Sequence, residues 1–140
     1  MSHVIDPATV LAYQQTEYRV LGSIPTTLHV GVRNAQLAML HQLHQTDCSA
    51  FVTACNPLGK RVDAATNAQR QEALAAEISR QGRVAIAGIG QHPTGDWPPE
   101  PSYLVLRLTL TAAQQLGRQF EQNAILWASA DAVPELILLR

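Results

Sequence analysis

The side chains able to do chemistry in this 140-residue sequence are few and spread along the chain. Glu100 stands in Glu-Pro-Ser-Tyr, and Cys55 ends Phe-Val-Thr-Ala-Cys just before Asn56-Pro57. A carboxyl can exchange protons and a thiolate can attack carbon, so Glu100 and Cys55 are the candidate catalytic groups. Arg70 can fork two hydrogen bonds to a carboxylate or phosphate, while amide and hydroxyl groups fix the orientation of a bound molecule. On that ground Asn56, Asn67, Arg70, Ser102, Gln122 and Asn123 form the candidate ligand-binding set for a small molecule or anion. A structural reading competes with this one: the amides tie loops together, and Glu100 pairs with Arg70.

Other chemistries find less support. A nucleophilic Cys55 needs a base or cation beside it, and otherwise packs as a small hydrophobe. Ser102 lacks the Gly-x-Ser-x-Gly elbow of a hydrolase serine. His41 and His44 lie three apart on an expected helix, but no acid or cysteine stands at a familiar ligand spacing beside them, so no metal is expected. Gly88-Ile-Gly90 follows a strand, yet Pro93, Gly95, Pro98 and Pro99 prevent the helix that must receive a pyrophosphate. No cofactor is expected.

Ten basic and eleven acidic residues give a net charge of -1, which supplies no long-range attraction to nucleic acid or anionic lipid. With 46% apolar and 15% charged residues the chain is a packed globule with a large interior or an oligomer interface. Met1 to Val10 holds no apolar run, no stretch approaches a membrane span, and the two cysteines lack Cys-x-x-Cys spacing. A cytoplasmic protein of one domain over residues 1–140 is expected.

The elements that must position these groups are legible from caps and periodicity. Asp6-Pro7 starts a helix running to about Thr16. Tyr18 to Val20 is extended, and after the Gly22/Pro25 loop Thr27 to Val32 alternates as a strand. Asn34 caps a helix with Leu37, Leu40 and Leu43 on one stripe. Ser49 to Cys55 is a strand stopped by Pro57. Leu58 to Ala65 reads as an exposed loop, followed by a helix with a Thr66/Gln69 capping box, Leu74 and Ile78 inward, and a stop at Gly82. Val84 to Ile89 and Tyr103 to Leu108 are strands separated by a proline-rich loop around Trp97. Thr111 and Gln114 open a helix, then Ala124 to Trp127 and Leu136 to Leu139 are strands. The order predicts an α+β protein: a two-layer, ferredoxin-like βαββαβ core with a mainly antiparallel sheet and helices on one face, an N-terminal helix/strand/helix extension and a C-terminal strand.

Four words stand out together: Phe51 to Pro57, Asn67-Ala-Gln-Arg70, Trp97 to Val105, and Leu116-Gly-Arg-Gln-Phe120-Glu-Gln122-Asn123-Ala124. In order and spacing they resemble the bacterial family known as domain of unknown function 3293. The chain departs from that pattern at Cys55, where an aromatic is common, and at Glu121, where glycine is more typical. The resemblance implies no activity. Two functional expectations follow from the residues: a small-molecule or anion pocket, with or without catalysis, or an interaction module docking through the Trp97 loop and the C-terminal strand. That strand could also pair with a second copy as a homodimer.

Overall fold

In the computed structural model, which describes residues 5–95 and 97–140, one seven-stranded sheet carries helices on both faces. Met1 to Val4, part of the stretch read above for a leader, and Asp96 lie outside the described residues. The elements run α1 Pro7–Gln15, β1 Glu17–Val20, β2 Thr26–Leu28, α2 Ala35–Leu43, β3 Ser49–Val52, a 3-10 turn Pro57–Gly59, α3 Ala64–Arg80, β4 Ala85–Gln91, β5 Glu100–Leu106, α4 Leu110–Gln119, β6 Ala124–Ala128 and β7 Glu135–Leu138. In space the order is β2-β1-β4-β5-β3-β6-β7, with every neighbouring pair antiparallel.

Alternation along β3 sorts the core into two halves. Ala50 and Val52, with Ala54 beyond the strand, meet Leu74 and Ile78 of α3 and Ala113 and Leu116 of α4. Phe51 points the other way, among Leu37 and Leu40 of α2, Val20, Leu28, Leu104, Leu106 and Leu126. Leu37, Leu74 and Leu104 are almost wholly buried, and each stabilises the fold by roughly 1.5–3 kcal/mol. The N-terminal extension adds a layer whose place the expected arrangement did not specify. Helices α3 and α4 do share one face, but α2 covers the other, because Phe51, Leu104 and Leu126 offer it a second apolar surface.

That second face is concave. The loop after β2, at one edge of the sheet, hydrogen-bonds to the loop before β7, at the other: Gly31 N–H donates to Pro134 O at 2.8 Å and Asn34 N–H to Ala132 O at 3.0 Å. The ring of Phe51 lies against β4 because residue 88 is glycine. A Cβ there would stand 2.7 Å from a Phe51 ring carbon and 2.7 Å from Arg19 O. Gly31, at φ +80, turns the chain out of β2, so the strand stops at Leu28 and Val32 is exposed, against the expected extension to Val32.

Asp6 and Asn34 cap α1 and α2 as expected, accepting from Ala8 N–H and Leu37 N–H at 2.8 Å each. The other two helices begin earlier than the capping-box spacing suggested. Asp63 caps α3 through Thr66 N–H at 2.7 Å, and Thr109 caps α4 through Ala112 N–H at 3.2 Å, each from an extended backbone. Among the described residues no helix is long and apolar enough to cross a membrane.

Glu121 adopts φ +57, the left-handed region that favours glycine, which gives a physical reason for glycine being more typical there. This conformation costs a side-chain-bearing residue about 1–2 kcal/mol. The carboxylate of Glu121 is more than half exposed and 3.4 Å from Arg70, so the ion pair offsets little. Glu121→Gly is expected to raise stability by about 0.5–1 kcal/mol after the added chain entropy of glycine is counted. Urea unfolding checks this, and a lowered midpoint would show that the carboxylate outweighs the backbone.

Candidate functional site

The β3–β5 ladder ends where Val52 faces Tyr103. Beyond it side chains replace the ladder: Thr53 Oγ1 donates to Pro101 O at 2.7 Å and accepts from Cys55 N–H at 3.1 Å. Pro57 then forces a turn, and Asn56 enters it in the left-handed conformation, φ +51, that asparagine tolerates better than most residues. Asn56 Oδ1 accepts from Val62 N–H at 3.1 Å and from Asn67 Nδ2 at 3.0 Å, while Asn67 Oδ1 accepts from Asn56 N–H at 2.8 Å. Both amides are thereby oriented. Asn56 Nδ2 is left to donate to Glu100 Oε2, at 2.6 Å.

Trp97 Nε1 donates to the same carboxyl oxygen at 3.1 Å, and Arg61 lies over the indole, 5.8 Å from the ring centre. Among the described residues no cation pairs with Glu100, and Oε1 accepts no hydrogen bond. Burial therefore pushes this carboxyl above the usual range, against the opposing pull of the Asn56 and Trp97 bonds. Burial also pushes the Cys55 thiol up, so it stays protonated and is no ready nucleophile.

Two cavities meet at this carboxyl. The first, about 530 Å³, lies on the concave side of the sheet between α1 and the strand ends. Its apolar walls include Phe51, Leu126 and Leu136, with Ala8 and Ala12 of α1. Tyr13, Thr53, Cys55, Asn56, His92, Glu100, Ser102 and Gln122 supply its polar groups. Its lining includes no Lys, Arg or Asp among the described residues. Tyr18 packs edge-on against Phe51, ring centres 5.4 Å apart, and its hydroxyl donates to Tyr13 O at 2.6 Å. The second cavity, about 710 Å³, lies along α3 beside Pro98 to Pro101 and is reached by Arg61, Asn67 and Gln71. Cys55, Asn56 and Glu100 line both and so form the partition.

Of the residues singled out in the sequence, Cys55, Asn56, Glu100, Ser102 and Gln122 come together at the first cavity and Asn67 at the second. Ser102 Oγ donates to Glu100 O at 3.0 Å, and Gln122 Nε2 to Cys55 O at 3.1 Å. Arg70 and Asn123 line neither. Arg70 donates to Ala54 O at 2.7 Å through Nε and to Phe120 O at 2.6 Å through Nη2, which locks the end of β3 to the end of α4; it makes no pair with Glu100. Asn123 Nδ2 holds the Tyr13 hydroxyl at 3.1 Å, and its Oδ1 is buried without a partner. The sequence reading missed Tyr13, Thr53 and His92. Alternation through Phe51, Thr53 and Cys55 was the available signal for Thr53. His41, one of the two histidines weighed above, is buried with its Nε2 at 2.7 Å from Ser49 Oγ.

Two outcomes are expected. Arg70→Ala should lower stability by about 1.5–3 kcal/mol, because two carbonyls lose a charged donor, and Lys should recover only part of that; urea unfolding of both variants is the check. Glu100 titrates near 4.5 in the unfolded chain and higher in the fold, so between these values the folded state holds the proton more tightly and stability falls as pH rises. Glu100→Gln keeps an acceptor for Asn56 and Trp97 and removes that titration. Its stability relative to the parent should rise from about pH 4 towards pH 8, and a pH-independent difference in melting temperature would contradict this.

No curated protein and no solved structure gives a significant match to this chain. The family described as Protein of unknown function (DUF3293) matches residues 52–125, just over half of the sequence and the segment that carries Asn56, Arg70, Glu100 and Gln122. The chain belongs to this family of unknown function.

Proposed function

We propose that this protein binds a small organic molecule with an apolar body in the concave cavity, its polar end received by Glu100, Asn56 and Ser102. The observation that carries the reading is the composition of the cavity: apolar walls with a few convergent polar groups and one half-buried carboxyl. That combination is typical of ligand sites. A carboxyl with a raised pKa is also suited to exchange a proton with what it binds, so Glu100 is the group through which an enzyme activity would run. Cys55 would act as wall and not as nucleophile. The anion half of the original expectation loses its main support with Arg70 bound to backbone.

The same reading takes β3 to β6 with α3 and α4 as a ferredoxin-like core, supported by the strand order β4-β5-β3-β6. It takes the chain as one cytoplasmic bacterial domain that needs neither nucleic acid nor membrane. Docking of a protein through the Trp97 loop and the C-terminal strand, or a homodimer through that strand, is the second reading, favoured by the exposure of Trp97 and Leu138 at 40% and 42%. It is the weaker, because the Trp97 indole N–H turns inward to Glu100.

Ala124 lies in β6 and lines the cavity, so Ala124→Trp should fill it. In a thermal-shift screen of metabolites the parent is expected to give ligand-dependent rises in melting temperature that the folded Ala124→Trp variant loses. Equal shifts in both proteins would place binding elsewhere and defeat the proposal.

A further inference from the structure

We infer that the ligand of the concave cavity is an amine, an apolar body carrying a protonated nitrogen that pairs with Glu100. The inference rests on the pocket reading above and adds the ligand's chemical class. Glu100 Oε2 already accepts two N–H bonds, from Asn56 and Trp97, an arrangement that favours the ionised carboxylate. Its charge is nevertheless unmatched. Among the described residues no Lys or Arg lines the cavity, no cation pairs with Glu100, and Oε1 takes no hydrogen bond.

A partly buried carboxylate without a counter-charge is costly, and an incoming ammonium lowers that cost by pairing with the open oxygen, which solvent reaches in the cavity. An incoming carboxylate or phosphate would add a second negative charge to the same pocket and be rejected. The other lining groups agree. Thr53, Ser102 and Gln122 add neutral polar groups near Glu100, and the rings of Tyr13, Tyr18 and Phe51 add the aromatic surface that attracts cations. Phe51, Leu126 and Leu136 then define the body of the ligand as apolar.

The charged and titratable groups around Glu100 come from several elements. Tyr13 on α1, Tyr18 on β1, the Cys55 thiol after β3 and His92 after β4 share the first cavity with it. Arg61, Asp63 and Glu72 lie in the second, beyond the Asn56–Glu100 partition. Burial pushes the two phenols and the thiol up, so they stay neutral and do not compete for the ammonium. Among the described residues His92 is the one basic side chain in the lining, which makes His92→Gln a necessary control.

The test uses three compounds of one shape: 4-phenylbutylamine, 4-phenylbutan-1-ol and 4-phenylbutyrate, titrated into the full chain by calorimetry and followed by amide chemical shifts. The amine is expected to bind at least tenfold more tightly than the alcohol, with the carboxylate weakest. This preference should grow as pH rises and Glu100 ionises, and should persist in His92→Gln. Glu100→Gln, which keeps the acceptor for Asn56 and Trp97, should bring the amine down to the alcohol's affinity, and Ala124→Trp should remove binding of both. If the alcohol binds as well as the amine, or if Glu100→Gln leaves the preference intact, the amine inference is overturned while the cavity remains a binding site. If none of the three binds, or if Ala124→Trp changes nothing, both readings fall.

Discussion

Two backbone hydrogen bonds between the loops at opposite edges of the sheet, Gly31 to Pro134 and Asn34 to Ala132, impose the curl on which the rest depends. A flat antiparallel sheet would leave Phe51, Leu104 and Leu126 on an open face. The curl folds that face inward, lets α2 fill part of it, and leaves an unfilled volume towards α1. Gly88 permits the close approach of Phe51 to β4 that this curvature requires.

At the strand ends the curled sheet meets a second constraint, the turn at Asn56. Its left-handed backbone and its amide bonds to Val62 and Asn67 hold β3 against the start of α3. The remaining donor then has one orientation, towards Glu100. A carboxyl held this way, shared by two cavities and unpaired with any described cation, is the group whose electrostatics set the character of the site. Arg70 does the complementary work a short distance away by fastening β3 to α4 through their carbonyls.

Helix α1 is held differently from the others. None of its described residues is buried, and its side chains Ala8, Ala12 and Tyr13 face the cavity. Among the described residues its attachments are the Asn123–Tyr13 bond, the Tyr18 hydroxyl to Tyr13 O, and a bond from His92 Nε2 to Gln15 Oε1. A wall with so little buried apolar contact belongs to the low-stability end of the molecule, where ligand entry is least costly.

What the sequence determined by itself is local: the caps at Asp6 and Asn34, the inward stripe of Leu74 and Ile78, the stop at Gly82, the strand that begins at Ser49, though it ends at Val52 and not at Cys55, and the clustering of hydrogen-bonding residues at element ends. Each depends on neighbours within a few positions, and such rules read directly from a chain. Tertiary structure alone decided that Arg70 would spend its donors on Ala54 and Phe120, some sixteen and fifty residues away, and that Glu100 would meet Asn56 and Trp97 instead of Arg70. It also decided that α2 would cover the face opposite α3 and α4, which no periodicity within α2 encodes, since an apolar stripe specifies burial but not the surface that provides it.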